Sequence, residues 1–399
     1  MSSARDDFIA HLAQTSGAAI GLEIERAEGC WLYCRDGRRY LDLIAGVGVS
    51  ALGHGRREVL EALARQSRRH LHVMVYGEYI LESQTKLAAR LAGLLPKDRG
   101  RVYFTNSGAE AIEGALKTAR KYTRRDGFVA FDGGYHGDTL GALALAGNPA
   151  FRAPFGALPG PVRHLPYDDE GALAEIDGGV AAVIVEPVQA EGGVRIPRRS
   201  FLLALRRRCD QIGALLIFDE VLTGLGRIGR LFALEHFGVV PDLIVLAKAL
   251  GGGLPLGAFC GSDEIIGTLA HDPPLGHITT FGGHPLSCAT GLAALEVIVQ
   301  ERLWERAAAF GSRLLERLCE ALTRGVTEIR GIGLLIGIEL ETAELVRSFV
   351  AESLARGVVI NWTLNADRVV RLAPPLTISA DEADFAVSAM KQALEAAYS

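Results

Sequence analysis

Two charged residues lie where short, very apolar runs of the chain end. Asp219 lies near the end of the run 214–220, and Lys248 is the last residue of the run 243–248. If the runs are strands of one parallel sheet, both side chains face the crevice beyond the strands' carboxyl ends. A desolvated lysine there becomes a nucleophilic amine, and a carboxylate nearby can keep a pyridinium nitrogen protonated. On these two residues alone, the simpler interpretation is an aspartate capping a loop and a lysine extending into solvent.

A candidate phosphate site lies between a strand predicted at 102–104 and a helix predicted over 108–124. The connecting segment begins Thr105-Asn106-Ser107-Gly108-Ala109. Small residues at a helix N-terminus leave backbone N–H groups free for an anion. An ordinary serine or asparagine cap fits the same residues. Further along the chain, Gly282-Gly283 after Thr279-Thr280 is either a second phosphate contact or a turn.

A glycine motif offers a competing interpretation. Gly224, Gly226 and Gly229 match the dinucleotide fingerprint G-x-G-x-x-G and follow a predicted strand. Arg227 and Arg230 interrupt the motif, however, and the segment after it is too short for the usual crossover helix. The next strand ends in lysine rather than in an acidic residue. A nicotinamide oxidoreductase is therefore disfavoured.

The elements that position these residues alternate between strands and helices. Apolar runs at 102–104, 128–131, 181–187, 214–220, 243–248 and 257–260 alternate with helical patterns at 108–124 and 200–212. This pattern predicts a mostly parallel sheet covered by helices. Residues 21–45 predict a β-meander with a turn at Asp36-Gly37. After Pro285 the sequence predicts one long helical stretch over 286–324, a strand at 333–340 and a helix at 342–356.

Composition excludes several classes of protein. The 399 residues are 49% hydrophobic and carry a net charge of −5, which fits a large folded core and no nucleic-acid footprint. No apolar run is long enough to span a bilayer, and the N-terminus lacks the apolar region of a signal peptide. The six cysteines show neither C-x-x-C pairing nor zinc spacing, so we expect no metal site and a cytoplasmic protein.

Seven segments, in order, resemble the class III aminotransferases, the family of the acetylornithine, ornithine and 4-aminobutyrate enzymes. The resemblance runs from about residue 20 to about residue 385. The segments are YFTNSGAEAIEGALKTAR, FDGGYHGDTLGAL, VIVEPVQAEGGV, IFDEVLTGLGRIG, PDLIVLAKALGGGLPLGAF, TTFGGHPLSCATGLAALEV and VVRLAPPLTIS. Together they are a far more specific signal than any one motif.

The resemblance implies a pyridoxal 5'-phosphate enzyme of fold type I. Lys248 would bind the cofactor covalently and shuttle a proton, and Asp219 would pair with the ring nitrogen. The resemblance also implies that the phosphate is bound by Ser107, Gly108 and Ala109. Tyr135 and Val221 would lie against the ring, and Glu220 would support the site. Thr280 would reach the phosphate of a neighbouring subunit. Arg371 would bind a substrate carboxylate, with Glu191 as its gate. A surface ion pair of low energetic value is the plainer interpretation of those two residues.

Departures from the family pattern concern the substrate. Asp138 stands after YHG, where acetylornithine and ornithine members usually carry arginine, and Leu222 stands where they carry glutamine. His284 replaces an asparagine, and Gly53-His54-Gly55-Arg56-Arg57 replaces Gly-His-x-His-Pro. Asp138 and Leu222 are more similar to the diaminopelargonate branch. These changes leave the cofactor chemistry intact.

The sequence thus predicts an α/β protein with a large, doubly wound, mostly parallel sheet domain and a smaller α+β domain. The expected divisions are 1–48 joining the small domain, 49–290 binding the cofactor, and 291–399 forming the small domain. The expected reaction moves a terminal amine of an ornithine-, lysine- or 4-aminobutyrate-like donor to a 2-oxo acid such as 2-oxoglutarate. Rivals on the same scaffold are a diaminopelargonate-type transfer, decarboxylation, racemisation and amine migration; a binding protein without catalysis is a further rival. We expect a homodimer or higher homo-oligomer.

Overall fold

The computed structural model describes residues 3–17 and 19–398. Its strands, in chain order, are β1 Ile24–Glu28, β2 Trp31–Cys34, β3 Arg39–Asp42, β4 Arg101–Thr105, β5 Gly127–Phe131, β6 Val162–Leu165, β7 Val180–Val185, β8 Leu215–Asp219, β9 Leu243–Leu246, β10 Gly257–Gly261, β11 Val326–Ile332, β12 Leu335–Leu340, β13 Val358–Val359, β14 Asn361–Trp362 and β15 Val369–Leu372. Its α-helices are α1 Ala4–His11, α2 Ala45–Gly48, α3 Arg57–Arg69, α4 Glu82–Ala92, α5 Gly108–Thr123, α6 Leu140–Ala144, α7 Pro149–Arg152, α8 Arg199–Ile212, α9 Ala233–Phe237, α10 Asp263–Gly267, α11 Pro285–Gln300, α12 Leu303–Ala321, α13 Ala343–Ala355 and α14 Ala380–Ala397. Short 3-10 helices lie at Ala153–Phe155, Ala172–Glu175, Lys248–Gly251 and Thr268–Ala270.

A seven-stranded sheet forms the centre of the molecule. Its order is β4-β10-β9-β8-β7-β5-β6, in which β10 runs antiparallel to both of its neighbours while the pairs from β9 to β6 are parallel. Every apolar run predicted as a strand before residue 261 is a strand of this sheet. The prediction of an α/β fold with a mostly parallel sheet is confirmed.

Both faces of this sheet are buried, and β8 shows why the sequence reads as a continuous apolar run. Ile217 packs into the hydrophobic cluster on one face, together with Ala111 and Ile112 of α5. Its neighbour Phe218 packs into the cluster on the other face, with Phe201 of α8. Because successive side chains of a strand point to opposite faces, burial on both sides removes the polar alternation.

Two smaller sheets combine the ends of the chain. The N-terminal meander β1-β2-β3 is extended by β13, which pairs in parallel with β3 through Leu41 and Val358. Gly37, at φ +81°, forms the predicted turn between β2 and β3. The other sheet has the order β11-β12-β15-β14 and carries Arg371 on β15. We propose on this basis that residues 1–48 and 291–399 form one small domain and residues 49–290 the large one.

The structure corrects two details of the secondary-structure prediction. The helical stretch predicted over 286–324 is two helices, α11 and α12, because Arg302 adopts a left-handed conformation at φ +48° between them. Five strands were not predicted. Strands β6 and β11 contain no continuous apolar run, and β13, β14 and β15 are only two to four residues long. None of the helices in the described part of the chain is both long enough and apolar enough to cross a membrane.

Candidate active site

A cavity of about 600 Å³ opens beyond the carboxyl ends of the parallel strands. The segments that follow β4, β5, β7, β8 and β9 line this cavity, as expected for a ligand site in an open α/β sheet. The predicted site residues that line it are Ser107, Gly108, Ala109, Tyr135, Asp138, Glu191, Asp219, Val221 and Lys248. These residues are distant in sequence, and the ends of five strands bring their side chains together.

The start of α5 forms one end of the cavity. Ser107 is the N-cap, and its hydroxyl accepts a hydrogen bond of 3.1 Å from the backbone N–H of Glu110. The Glu110 carboxylate in turn accepts hydrogen bonds of 2.8 Å from the backbone and side-chain nitrogens of Asn106. These bonds fix the turn, while the N–H groups of Gly108 and Ala109 have no acceptor within the helix. The helix therefore presents free donors and the positive end of its dipole to the cavity.

Lys248 lies two residues beyond the end of β9, on the cavity wall. Its backbone is left-handed, at φ +48°, a conformation that is uncommon for a residue other than glycine. Burial lowers the pKa of its ammonium group, and the positive charge of Arg371 adds to the decrease, while Asp219 and Glu191 act in the opposite direction. The lowered pKa makes the unprotonated, nucleophilic amine accessible closer to neutral pH.

Asp219, the last residue of β8, is held by two donors. The Nδ1 atom of His136 lies 2.7 Å from Oδ2, and the backbone N–H of Val221 donates to Oδ1 at 3.0 Å. Burial lowers the pKa of His136, but the hydrogen bond and charge of Asp219 outweigh burial, so the pKa is raised. The sequence analysis assigned no role to His136, although it lies within the segment FDGGYHGDTLGAL.

Glu186 is a second cavity residue that the sequence analysis did not single out. It follows β7 directly, as Asp219 closes β8, and this position at a strand end is the signal that identifies it. Its carboxylate accepts hydrogen bonds from the backbone N–H groups of Tyr135 at 2.9 Å and Ala190 at 3.1 Å. Burial raises the pKa of Glu186. Glu186 thereby links the segment that carries Tyr135 to the segment that carries Glu191.

Tyr135 and Asp138 form a hydrogen-bonded pair at the edge of the cavity. The Tyr135 hydroxyl donates to Oδ2 of Asp138 at 2.7 Å. Burial raises the pKa of Tyr135, and the hydrogen bond and charge of Asp138 raise it further, so the hydroxyl remains a donor at neutral pH. Asp138 itself is exposed and lines the cavity. Its carboxylate is thus directed toward Tyr135 rather than capping the local loop.

Arg371 and Glu191 are a buried ion pair rather than a surface pair. Arg371 is 2% exposed and donates to Oε1 of Glu191, which is 8% exposed. The other Glu191 oxygen accepts from the backbone N–H of Leu364 at 3.0 Å. Glu191 lines the cavity, and Arg371 lies behind it on β15.

Besides Arg371, two predicted site residues lie outside the cavity of their own chain. Glu220 points away from it and accepts hydrogen bonds from the backbone N–H groups of Ala233 at 2.6 Å and Leu234 at 2.9 Å, at the start of α9. Burial raises the pKa of Glu220 to about 7. Thr280 is exposed on the loop before α11. Glu220 therefore supports the strand end from behind, without lining the site.

The glycine motif does not form a nucleotide-binding turn. Residues 224–229 form turns that do not line the cavity, and the next helix, α9, has only five residues. A dinucleotide fingerprint requires a glycine turn that opens directly into a crossover helix. The nicotinamide alternative has no structural support in this segment.

Comparison with known proteins identifies the family. The family model described as aminotransferase class-III matches residues 12–394. The chain belongs to the class III aminotransferases. The acetylornithine aminotransferase of Methanopyrus kandleri is 44% identical over 92% of this chain and 93% of its own. The putrescine aminotransferase of Pectobacterium atrosepticum is 40% identical over 92% and 81%.

A solved structure extends the comparison to the fold. The ornithine aminotransferase of Toxoplasma gondii, in a structure described as having pyridoxal phosphate at partial occupancy in its active site, matches with a TM-score of 0.92 and 31% identity. The match covers 98% of this chain and 93% of that one. The chain therefore has the pyridoxal phosphate fold type I, and as a class III aminotransferase it is an enzyme that depends on pyridoxal 5'-phosphate.

Proposed function

We propose that this class III aminotransferase takes the terminal amine of a carboxylate-bearing or otherwise polar carbon chain and delivers it to a 2-oxo acid such as 2-oxoglutarate. The observation that carries the proposal is the buried pair of Arg371 and Glu191, of which Glu191 lines the cavity and Arg371 lies behind it. A paired arginine can be exposed for a substrate carboxylate and covered again when the ligand has none. A site that can be exposed and covered in this way suits an enzyme that binds two chemically different substrates in turn.

The acidic lining of the cavity supports an amine donor of this kind. Asp138, Glu186, Glu191 and Asp219 contribute carboxylates, and Lys248 contributes an amine. Asp138 lies beside Tyr135, where an α-carboxylate on a nearby substrate carbon would meet a negative charge. The relatives are named for acetylornithine, putrescine and ornithine, which all present a primary amine at the end of a carbon chain.

We propose that the cofactor phosphate binds at the start of α5, to Ser107, Gly108 and Ala109. A Cβ on Gly137 would lie 2.5 Å from the Cβ of Ala109, and a Cβ on Gly108 would lie 3.1 Å from Val221 Cγ2. A side chain at either position would displace the start of the helix. The two glycines therefore keep the backbone donors at the cavity wall, which is the arrangement that a phosphate requires.

The remaining roles follow from the contacts of each side chain. When bound, pyridoxal phosphate supplies an electron sink for the bonds to the substrate's reacting carbon. Lys248 would hold the cofactor covalently, and its Nζ atom, as a free amine, would move a proton. Asp219 would keep the pyridine nitrogen protonated, and His136 holds the Asp219 carboxylate in place. Tyr135 and Val221 would pack against the ring.

Substrate specificity provides the test of this proposal. Terminal amines such as ornithine and 4-aminobutyrate should exceed alanine as donors by about tenfold or more in kcat/KM, because a charge placed against the wrong ligand typically costs a few kcal/mol. Arg371→Ala should raise KM for carboxylate-bearing donors by about tenfold, since a buried charge pair loses one partner. Asp138→Arg should shift preference toward α-amino acids.

Arg368→Ala is the matched control for Arg371→Ala. Arg368 lies three residues away and is exposed, with an ion pair of 3.1 Å to Glu339, and its loss should leave every donor unchanged. A donor order that is the same in wild type, Arg371→Ala and Asp138→Arg would contradict the proposed substrate class. The family assignment does not depend on that result.

We also propose that the active unit is a homodimer in which Thr280 reaches the phosphate of the neighbouring subunit. The loop around Thr280 exposes Leu275, Ile278 and Phe281. The Phe281 ring lies tilted against His72, with the ring centroids 4.8 Å apart, beside the exposed Leu71. Exposed apolar residues in this number mark a surface that a partner covers. Sedimentation of the holoenzyme should give a dimer or a multiple of it at assay concentrations. A fully active monomer would be incompatible with this assembly.

A further inference from the structure

Arg227 is a buried arginine without a carboxylate partner. It lies in the glycine motif between β8 and α9 and is 2% exposed. Its Nη1 atom donates to the carbonyl oxygens of Leu334, at 3.0 Å, and Pro374. Its Nη2 atom has no hydrogen-bond partner, and no ion pair involves Arg227 among the described residues. Burying a charge in this way is costly.

The two carbonyls that Arg227 binds flank the strand pair that carries Arg371. Leu334 leads into β12, and Pro374 follows β15; within the pair, Gly337 of β12 lies opposite Arg371. The backbone N–H of Leu334 also donates to the carbonyl oxygen of Arg227 at 2.9 Å. Arg227 thus connects the large-sheet segment to both strands at one end. A change in Arg227 would be transmitted to the position of Arg371.

Arg227 differs from a neutral link between two segments because it carries a positive charge that has no carboxylate partner. Arg371 has Glu191 as its carboxylate, whereas Arg227 has no carboxylate partner among the described residues. Burial lowers the pKa of Arg227 to about 9, and the charge of Arg371 contributes to the decrease. Arg227 therefore remains charged at neutral pH, and no ion pair neutralises its charge.

Arg306 binds carbonyl oxygens close to those of Arg227, but in a setting that is more exposed to solvent. Arg306 donates to the carbonyl oxygens of Thr377 and Ile378, just beyond Pro374, but it is only half-buried and lies over the Phe310 ring. Solvent screens its charge. At Arg227 a neutral amide donor would satisfy one carbonyl without the penalty of an unpaired buried charge. The charge itself therefore calls for an explanation.

We propose that Arg227 is a positioning and specificity-determining residue for the carboxylate site at Arg371. It fixes the ends of the strands that carry Arg371, and its unpaired positive charge favours entry of a substrate carboxylate as Glu191 moves away. The substrate carboxylate replaces Glu191 as the partner of Arg371. This inference rests on the proposed role of Arg371.

The experiment compares ligands with and without carboxylates in the holoenzyme. The variants are Arg227→Gln, which keeps an amide donor without the charge, Arg227→Lys, which keeps the charge, the control Arg306→Gln, and Arg371→Ala. Calorimetry gives the Kd of glutarate, an unreactive dicarboxylate. Steady-state assays give KM and kcat for 2-oxoglutarate and for pentanal, an acceptor of the same chain length without a carboxylate.

Arg227→Gln should raise the glutarate Kd and the 2-oxoglutarate KM by about tenfold, while KM for pentanal changes by less than about twofold. Arg227→Lys should stay within about threefold of wild type for glutarate when both are measured at about pH 6, where the buried ammonium is protonated and the charge is retained. Arg306→Gln should change neither quantity. The lysine variant keeps the test decisive should the glutamine variant fail to fold: loss of glutarate binding in a folded Arg227→Lys would overturn the proposal.

A purely structural role gives a different result. If Arg227→Gln alters 2-oxoglutarate and pentanal equally, or leaves glutarate binding unchanged while Arg371→Ala weakens it, the inference about Arg227 is wrong and the carboxylate site stands. If Arg371→Ala also leaves glutarate binding unchanged, the proposed carboxylate site itself is wrong.

Discussion

Replacing Lys248 with alanine will reduce transamination by at least about a thousandfold, because a positioned proton-transfer group alone contributes about a hundredfold to ten-thousandfold and the covalent anchor is lost with it. The fold should survive, since the change removes a buried amine that burial already disfavours as a charge. Single-turnover assays and the thermal unfolding midpoint measure the two effects.

Lys391→Ala is the matched control for this variant. Lys391 is exposed on α14, far along the chain from the cavity segments, and its loss should leave the rate and the unfolding midpoint unchanged. A Lys248→Ala enzyme that retains more than about a tenth of the wild-type rate would be inconsistent with a catalytic lysine at this position.

Replacing Asp219 with asparagine should lower the rate by about a hundredfold or more while the protein still binds cofactor. A neutral amide cannot stabilise a protonated pyridine nitrogen as a carboxylate does. The same change removes the charge that raises the pKa of His136, so burial will dominate and that pKa should fall. Cofactor absorbance, turnover and the imidazole titration followed by NMR report these three effects.

Asp210→Asn serves as the control for Asp219→Asn. Asp210 is an exposed residue of α8 that pairs with Arg206 at 2.7 Å, and a surface pair of this kind contributes little. It should leave both turnover and the His136 pKa unchanged. Near-normal turnover in Asp219→Asn, with cofactor bound, would contradict the proposed partner of the ring nitrogen.

The sequence predicted the central sheet because its strands are buried on both faces. Apolar runs such as 214–220 and 243–248 are therefore continuous, and each ends close to a charged residue that faces the cavity. The short strand β6 lies at the edge of the sheet and reads VRHL, with no apolar run to predict it. The left-handed backbone of Arg302 separates α11 from α12, and arginine is not a residue type that predicts a turn.

Side-chain contacts, one of them local and one between distant segments, account for what the sequence could not predict in the site. Asp138 was identified as a departure from the family pattern, but its orientation depends on the Tyr135 hydroxyl that binds it. His136 acquires a role only because β5 and β8 bring it to Asp219, 83 positions along the chain. The strand-end position of Glu186 was visible in the sequence and was overlooked.

The central claim is that Lys248 carries the cofactor, and borohydride reduction of the holoenzyme tests it most directly. Reduction fixes a covalently bound cofactor on its lysine, and digestion followed by mass spectrometry of the peptides locates the added mass. We expect the modified residue to be Lys248, within the peptide that contains LIVLAKALGGG, and we expect no modification in Lys248→Ala. Stoichiometric modification of any other lysine would contradict the account.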